Sequence, residues 1–163
     1  MAAPTPDRIL DAALRAFGGD GFAATSLDAL ADQLGIRKQT ILYYFPSKQT
    51  LFEAVIDMAA VDLAKVFEEG ASRGLTGLAQ VEALVRRVFR LAVAQPELLG
   101  LIREVTRPGS LTADHLASQV SPVFDRARAF LQREMDAGHL RRSDPSMLLL
   151  SIYSTVVGVA TEL

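Results

Sequence analysis

Arg37, Lys38, Gln39, Thr40, Tyr43, Tyr44 and Lys48 crowd into one short stretch of the chain, and each can donate hydrogen bonds to a nucleic acid. Lys and Gln reach base edges, Thr offers a hydroxyl or a methyl group, and Arg or Tyr reaches a phosphate oxygen. The chemistry these residue types support is binding. Catalysis finds little to work with. The two histidines, His115 and His139, have no HxxxH, HxH or HExxH partner. Gly18-Gly19-x-Gly21 follows a helical pattern and lacks the strand and Lys-Ser/Thr context of a phosphate loop. Zero cysteines exclude disulfides, thiol chemistry and Cys-based zinc sites, and fit a reducing cytoplasm. Neither an enzyme nor a cofactor is expected.

Two short helices must position this stretch. Leu27, Leu30, Ala31 and Leu34 recur at i, i+3, i+4 and i+7, one apolar helix face. Thr25 or Ser26 can cap its start, and Thr25-x-x-Asp28 has the shape of a capping box. Gly35 falls just past the last apolar position, where left-handed backbone angles cost it least. A second helix, about Arg37 to Phe45, turns Ile41 and Phe45 inward and leaves Arg37, Lys38, Gln39, Thr40 and Tyr43 outward. Two helices across a short glycine turn make a helix-turn-helix, whose second member enters the DNA major groove. An ordinary helical hairpin with a solvated polar face fits the same spacing.

Charge does not decide between them. The net charge is −2, and residues 1–50 hold five basic and five acidic side chains. DNA affinity therefore has to come from the local cluster of Arg37, Lys38 and Lys48, doubled by dimerisation, and not from a basic surface. With 163 residues, half of them hydrophobic, the chain can bury a substantial core in one or two domains. No basic-plus-apolar leader precedes the first helix pattern.

The other elements read as helices throughout, with no strand pattern and no repeat, so the fold class is all-α. Thr5 and Pro6 start a first helix running to about Phe17. Pro46-Ser47 ends the second helix of the pair and caps a fourth, which continues past Leu51, Phe52 and Val55 to about Gly70. Residues 70–77 form a loop and the candidate domain boundary. A fifth helix covers about 78–94, and Pro96 starts a sixth that reaches Arg107. Pro108-Gly109-Ser110 is a turn, and residues 112–119 are too poorly patterned for more than a turn or two of helix. A seventh helix is expected over Pro122 to Ala137, ended by Gly138. The last stretch, Pro145 to Leu163, has Glu162 as its one side chain charged at neutral pH, so its helix is buried inside one chain or between two. It is short for a bilayer span. Ser151, Thr155 and Gly158 at i, i+4 and i+7 would let another helix approach closely.

The string from Ile9 to Val55 resembles the N-terminal domain of the tetracycline-repressor (TetR) family of bacterial transcription regulators. The resemblance is carried by Ile9…Ala13…Phe17, Gly21-Phe22-x-x-Thr25-Ser26, Ala31-x-x-x-Gly35-Ile36, Thr40-Ile41 and Tyr44-Phe45-Pro46-Ser47-Lys48-x-x-Leu51. The family usually has Leu-Tyr where this chain has Ile41-Leu42, so a tyrosine hydroxyl that commonly meets phosphate is absent and Tyr43 or Tyr44 stands beside the gap. The resemblance implies a helix-turn-helix domain over 1–50 and a helical ligand-binding and dimerisation domain over 51–163. It also implies a further helix beyond Leu163. DNA would be met by Thr25, Ser26, Arg37, Lys38, Gln39, Thr40, Tyr43, Tyr44 and Lys48, and two copies would pair through Ser151, Thr155 and Gly158.

By the same resemblance, a small apolar or aromatic effector would lie among Phe67, Phe89, Val93, Ile102, Arg103, Phe124 and Tyr153, with Glu104 or His115 as further polar contacts. The partners implied are a double-stranded DNA operator, that effector and a second copy, with no membrane. A helical small-molecule carrier or adaptor that keeps the hairpin only as scaffold is the rival reading.

Overall fold

The computed structural model describes residues 5–71, 74–106 and 113–161. Its elements are helices: α1 (Thr5–Gly19), α2 (Leu27–Leu34), α3 (Lys38–Tyr44), α4 (Lys48–Ala71), α5 (Gly77–Ala94), α6 (Pro96–Thr106), α7 (Ala113–Asp136) and α8 (Pro145–Thr161). The fold is all-α, with no strand among the described residues. The expected turn at Pro108-Gly109-Ser110 and the side chain of Phe67 lie outside the described residues.

Residues 1–59 and 96–117 form one compact unit. The periodic faces read from the sequence meet in its core: Ile9, Ala13 and Phe17 of α1, Leu30 and Ala31 of α2, Ile41 of α3, Leu51, Phe52, Val55 and Ile56 of α4, and Leu101 and Val105 of α6. Burying one large apolar side chain of this kind contributes about 1.5–3 kcal/mol. Phe17, Phe22 and Phe52 form an aromatic trio, with ring centroids 4.9–5.7 Å apart. Helices α1 and α6 approach backbone to backbone at Gly18 and Gly100. A Cβ on Gly100 would collide with the Gly18 carbonyl, and one on Gly18 with the Glu97 carbonyl. Only glycine permits that approach. His115, near the start of α7, meets Asp57 of α4 through Nε2 and Oδ1 at 2.8 Å.

Residues 60–95 and 118–163 form the second unit. Val123, Ala127, Leu131 and Met135 make a buried stripe along α7. Glu134 ties the beginning of α5 to the end of α7: its carboxylate accepts from the Gly77 backbone N–H at 2.6 Å and meets His139 Nδ1 at 3.0 Å. The Gly77 hydrogen bond, followed by the His139 hydrogen bond, holds the Glu134 carboxyl below its ordinary value of 4.5.

One element departs from the sequence expectation. α7 begins at Ala113 and runs unbroken through Pro122, which falls inside the helix and does not start it. Proline removes one backbone donor from a helix interior but does not by itself end the helix. The buried α7 stripe lies on one side of Pro122 and the His115–Asp57 contact on the other.

Candidate nucleic-acid interface and cavity

The helix-turn-helix is built by local signals. Ser26 caps α2, its Oγ accepting from the Ala29 N–H at 3.0 Å. Gly35 ends α2 with φ of 65°, and the Ile36 N–H returns to the Ala31 carbonyl at 3.0 Å, the closure of a Schellman turn. Arg8 of α1 donates to the last carbonyl of α2, Leu34 O, at 3.4 Å, placing a cation at the negative end of that helix. Phe45, just past α3, adopts extended angles ahead of Pro46. Within α3 only Ile41 is buried, while Leu42 is partly covered by the core.

Seven of the nine candidate DNA residues then fall into two groups. Arg37, Gln39, Tyr43 and Tyr44 are exposed, Tyr43 at 81%, and the two tyrosine rings meet edge to face at 5.0 Å. Lys38, Thr25 and Lys48 have internal partners. The Lys38 ammonium pairs with Asp28 Oδ2 at 2.8 Å. Thr25 is buried, and its Oγ1 donates to the Gly21 carbonyl at 2.8 Å. Lys48 Nζ donates to the Thr25 carbonyl at 2.7 Å, approaches the Ala23 carbonyl at 3.4 Å, and lies 4.4 Å from the centroid of the Phe22 ring. Lys48 thereby fastens the first turn of α4 to the loop before α2. Ser26, exposed, is occupied by its cap, and Thr40 is half-buried.

In the second unit a cavity of about 260 Å³ opens among α4, α5 and α7. Ala64, Leu84, Val123, Ala127, Ala129 and Phe130 supply apolar walls, while Glu68, Gln80, Arg126 and Arg133 supply polar groups. Arg126 Nη1 reaches Glu68 Oε1 at 3.2 Å. Phe89, Val93, Phe124 and Tyr153 belong to this unit but not to the cavity lining, and Ile102, Arg103, Glu104 and His115 belong to the first unit. The sequence did carry a signal for the lining. Arg126, Ala129, Phe130 and Arg133 recur at i, i+3, i+4 and i+7, a face on which two arginines flank an alanine and a phenylalanine. Nothing local could have paired Lys38 with Asp28 or Asp57 with His115.

Helix α8 buries Val156 and exposes Met147, Leu150, Ser151, Ser154, Thr155, Gly158 and Val159 along one face. The Ser151 and Thr155 hydroxyls donate back to the Met147 and Ser151 carbonyls, both at 2.8 Å. Their hydroxyl protons are thus turned into the helix, on a face that mixes small residues with Met147, Leu150 and Val159. Among the described residues no helix is long and apolar enough to cross a membrane.

A three-helix head that presents α3 on its surface defines a helix-turn-helix DNA-binding protein. Residues 9–55 match the model of the bacterial regulatory proteins of the tetR family. The HTH-type transcriptional regulator RutR of Escherichia coli K12 is 30% identical over 151 residues, covering 90% of this chain and 69% of that relative. The chain belongs to the TetR family, whose members are transcriptional regulators and not enzymes. Two solved structures share the fold. The fatty acid degradation regulator FadR of Bacillus halodurans superposes with a TM-score of 0.85 at 17% identity, covering 99% of this chain and 85% of that one. FadR of Bacillus subtilis, in complex with stearoyl-CoA, superposes with a TM-score of 0.83 at 16% identity, covering 96% and 85%.

Proposed function

We propose that the protein is a homodimeric repressor, working in the cytoplasm, that leaves a near-palindromic operator when a small molecule binds. Residues 1–50 form the DNA-binding domain and residues 51–163 the effector-binding and dimerisation domain. α3 of each protomer lies in the major groove of one half-site. Lys38, Gln39 and Thr40 read bases or nearby phosphates, while Arg37, Tyr43, Tyr44 and Lys48 anchor the backbone, with Thr25 and Ser26 at its edge. The observation that carries this reading is α3 itself: a helix anchored by Ile41, with Leu42 and Phe45 beside it, that leaves Gln39, Tyr43 and Tyr44 exposed next to Arg37.

The effector is an apolar or aromatic molecule held in the α4–α5–α7 cavity, where Arg126 and Arg133 can meet an acidic group on it. Stearoyl-CoA bound to the Bacillus subtilis FadR, an apolar chain with an anionic head, is of that general kind. The exposed face of α8 pairs the two copies, with Ser151, Thr155 and Gly158 at the closest approach.

Selection of bound fragments from the source genome, at physiological salt with excess competitor DNA, tests the reading. Enrichment of one inverted repeat is expected. A folded, dimeric chain that enriches nothing would transfer the assignment to a helical carrier or adaptor.

A further inference from the structure

The Lys38–Asp28 pair gives the DNA-binding face a property that its side-chain inventory does not. Lys38 sits in the first turn of α3, where the helix dipole is positive and a cation is disfavoured. Asp28 sits in the first turn of α2, where a carboxylate is favoured, and it draws the Lys38 ammonium across to 2.8 Å. Both groups are open to solvent, with the side chains 41% and 68% exposed. An approaching duplex therefore meets a neutral pair, and a carboxylate close to its phosphates, where Lys38 alone would have offered a positive charge.

We propose that Asp28 is a specificity-determining residue, which suppresses binding to non-cognate DNA by pairing with Lys38. This rests on the DNA-binding reading above. Non-specific binding is almost wholly electrostatic, so one added carboxylate weakens it directly. On a cognate site the same carboxylate has an offsetting effect. It fixes the Lys38 ammonium, with protons still available to an acceptor, and so reduces the ordering cost of making a directed contact.

The test compares wild type, Asp28→Asn, Asp28→Glu, and Asp28→Asn combined with Lys38→Ala. Each is titrated with a random-sequence duplex pool and with the duplex that wild type selects from that pool, between about 50 and 200 mM salt. Asp28→Asn is expected to tighten binding to the random pool by roughly two- to five-fold per protomer, the usual worth of an exposed pair. Its salt slope should steepen by about one unit per protomer. Affinity for the selected duplex should change less, so discrimination falls. Asp28→Glu should keep the wild-type behaviour, and Lys38→Ala should abolish the gain.

Unchanged non-specific affinity in Asp28→Asn would overturn the proposal, as would a gain that survives Lys38→Ala. If wild type selects no duplex at all, the DNA-binding reading fails instead. A melting comparison of the four chains keeps a folding defect from passing as either result.

Discussion

The largest fully buried side chains, Phe17, Ile9, Leu30, Ile41, Leu51, Ile56, Val55 and Val105, all lie in the unit of residues 1–59 and 96–117. The exposed large hydrophobics divide the other way. Tyr43 and Tyr44 belong to that unit, while Val61, Leu75, Leu78, Val93, Phe124, Met147, Leu150 and Val159 belong to the second. One unit completes its core from its own residues. The other keeps a cavity and an apolar helix face open, as surfaces that bind something do. The contrast separates a unit whose large side chains are enclosed from one that leaves apolar side chains exposed and a cavity open.

Truncating a buried ring of the first unit and an exposed ring of the second gives the sharpest test. Phe17→Ala should cost about 3–5 kcal/mol in denaturant unfolding, from lost burial and the cavity left in the aromatic trio. Phe124→Ala, at a side chain 40% exposed, should cost less than about 1 kcal/mol in the isolated chain. Equal losses would erase the distinction. Next in size is Leu150→Glu on the open face of α8. It should weaken self-association by at least about tenfold, or about 1.4 kcal/mol, read by light scattering against concentration. Unaltered association would remove that face from the interface.

Gly35→Ala probes the head alone. Its φ of 65° and the open space around it leave backbone strain as the whole effect, so a loss of about 1–2 kcal/mol is expected in thermal unfolding. No change in melting would mean that the turn relaxes to other angles. The smallest effect concerns the α5–α7 tie. Because the Glu134 carboxyl is held below 4.5, its stabilising contribution is full above that pH and is lost as pH falls through the lowered value. The Gly77 amide proton should report this as an NMR titration with a midpoint below 4.5, absent in Glu134→Gln. A midpoint at or above 4.5 would contradict the hydrogen bond to Gly77.

Where the sequence punctuates itself, the fold was legible. Thr5-Pro6, Ser26, Gly35, Pro46 and Pro96 mark helix ends by backbone chemistry that acts within a few residues, and the structure places its helix boundaries beside them. The start of α7 was not legible, because Pro122 imitates a helix start, while the contact that His115 makes near the true start is with Asp57, far away in sequence. The cavity was obscure for a related reason. Periodicity shows which face turns inward, but not where facing helices leave a cavity, here lined in part by Ala64 and Ala127. Of the candidate DNA residues, the exposure of Arg37, Gln39 and Tyr43 followed from helical spacing. The inward ties of Lys48 and Thr25 did not, since backbone carbonyl partners leave no mark in a sequence.

The attachment of α3 has an evolutionary consequence. Ile41, Leu42 and the flanking Phe45 hold the helix in place, whereas Arg37, Gln39 and Tyr43 touch solvent and contribute little to folding. Mutations at those three positions are therefore cheap in stability, typically within about 0.5 kcal/mol for exposed sites. On the proposed reading of these side chains as DNA contacts, a duplicated copy of such a gene could drift toward a new target sequence without passing through unfolded intermediates.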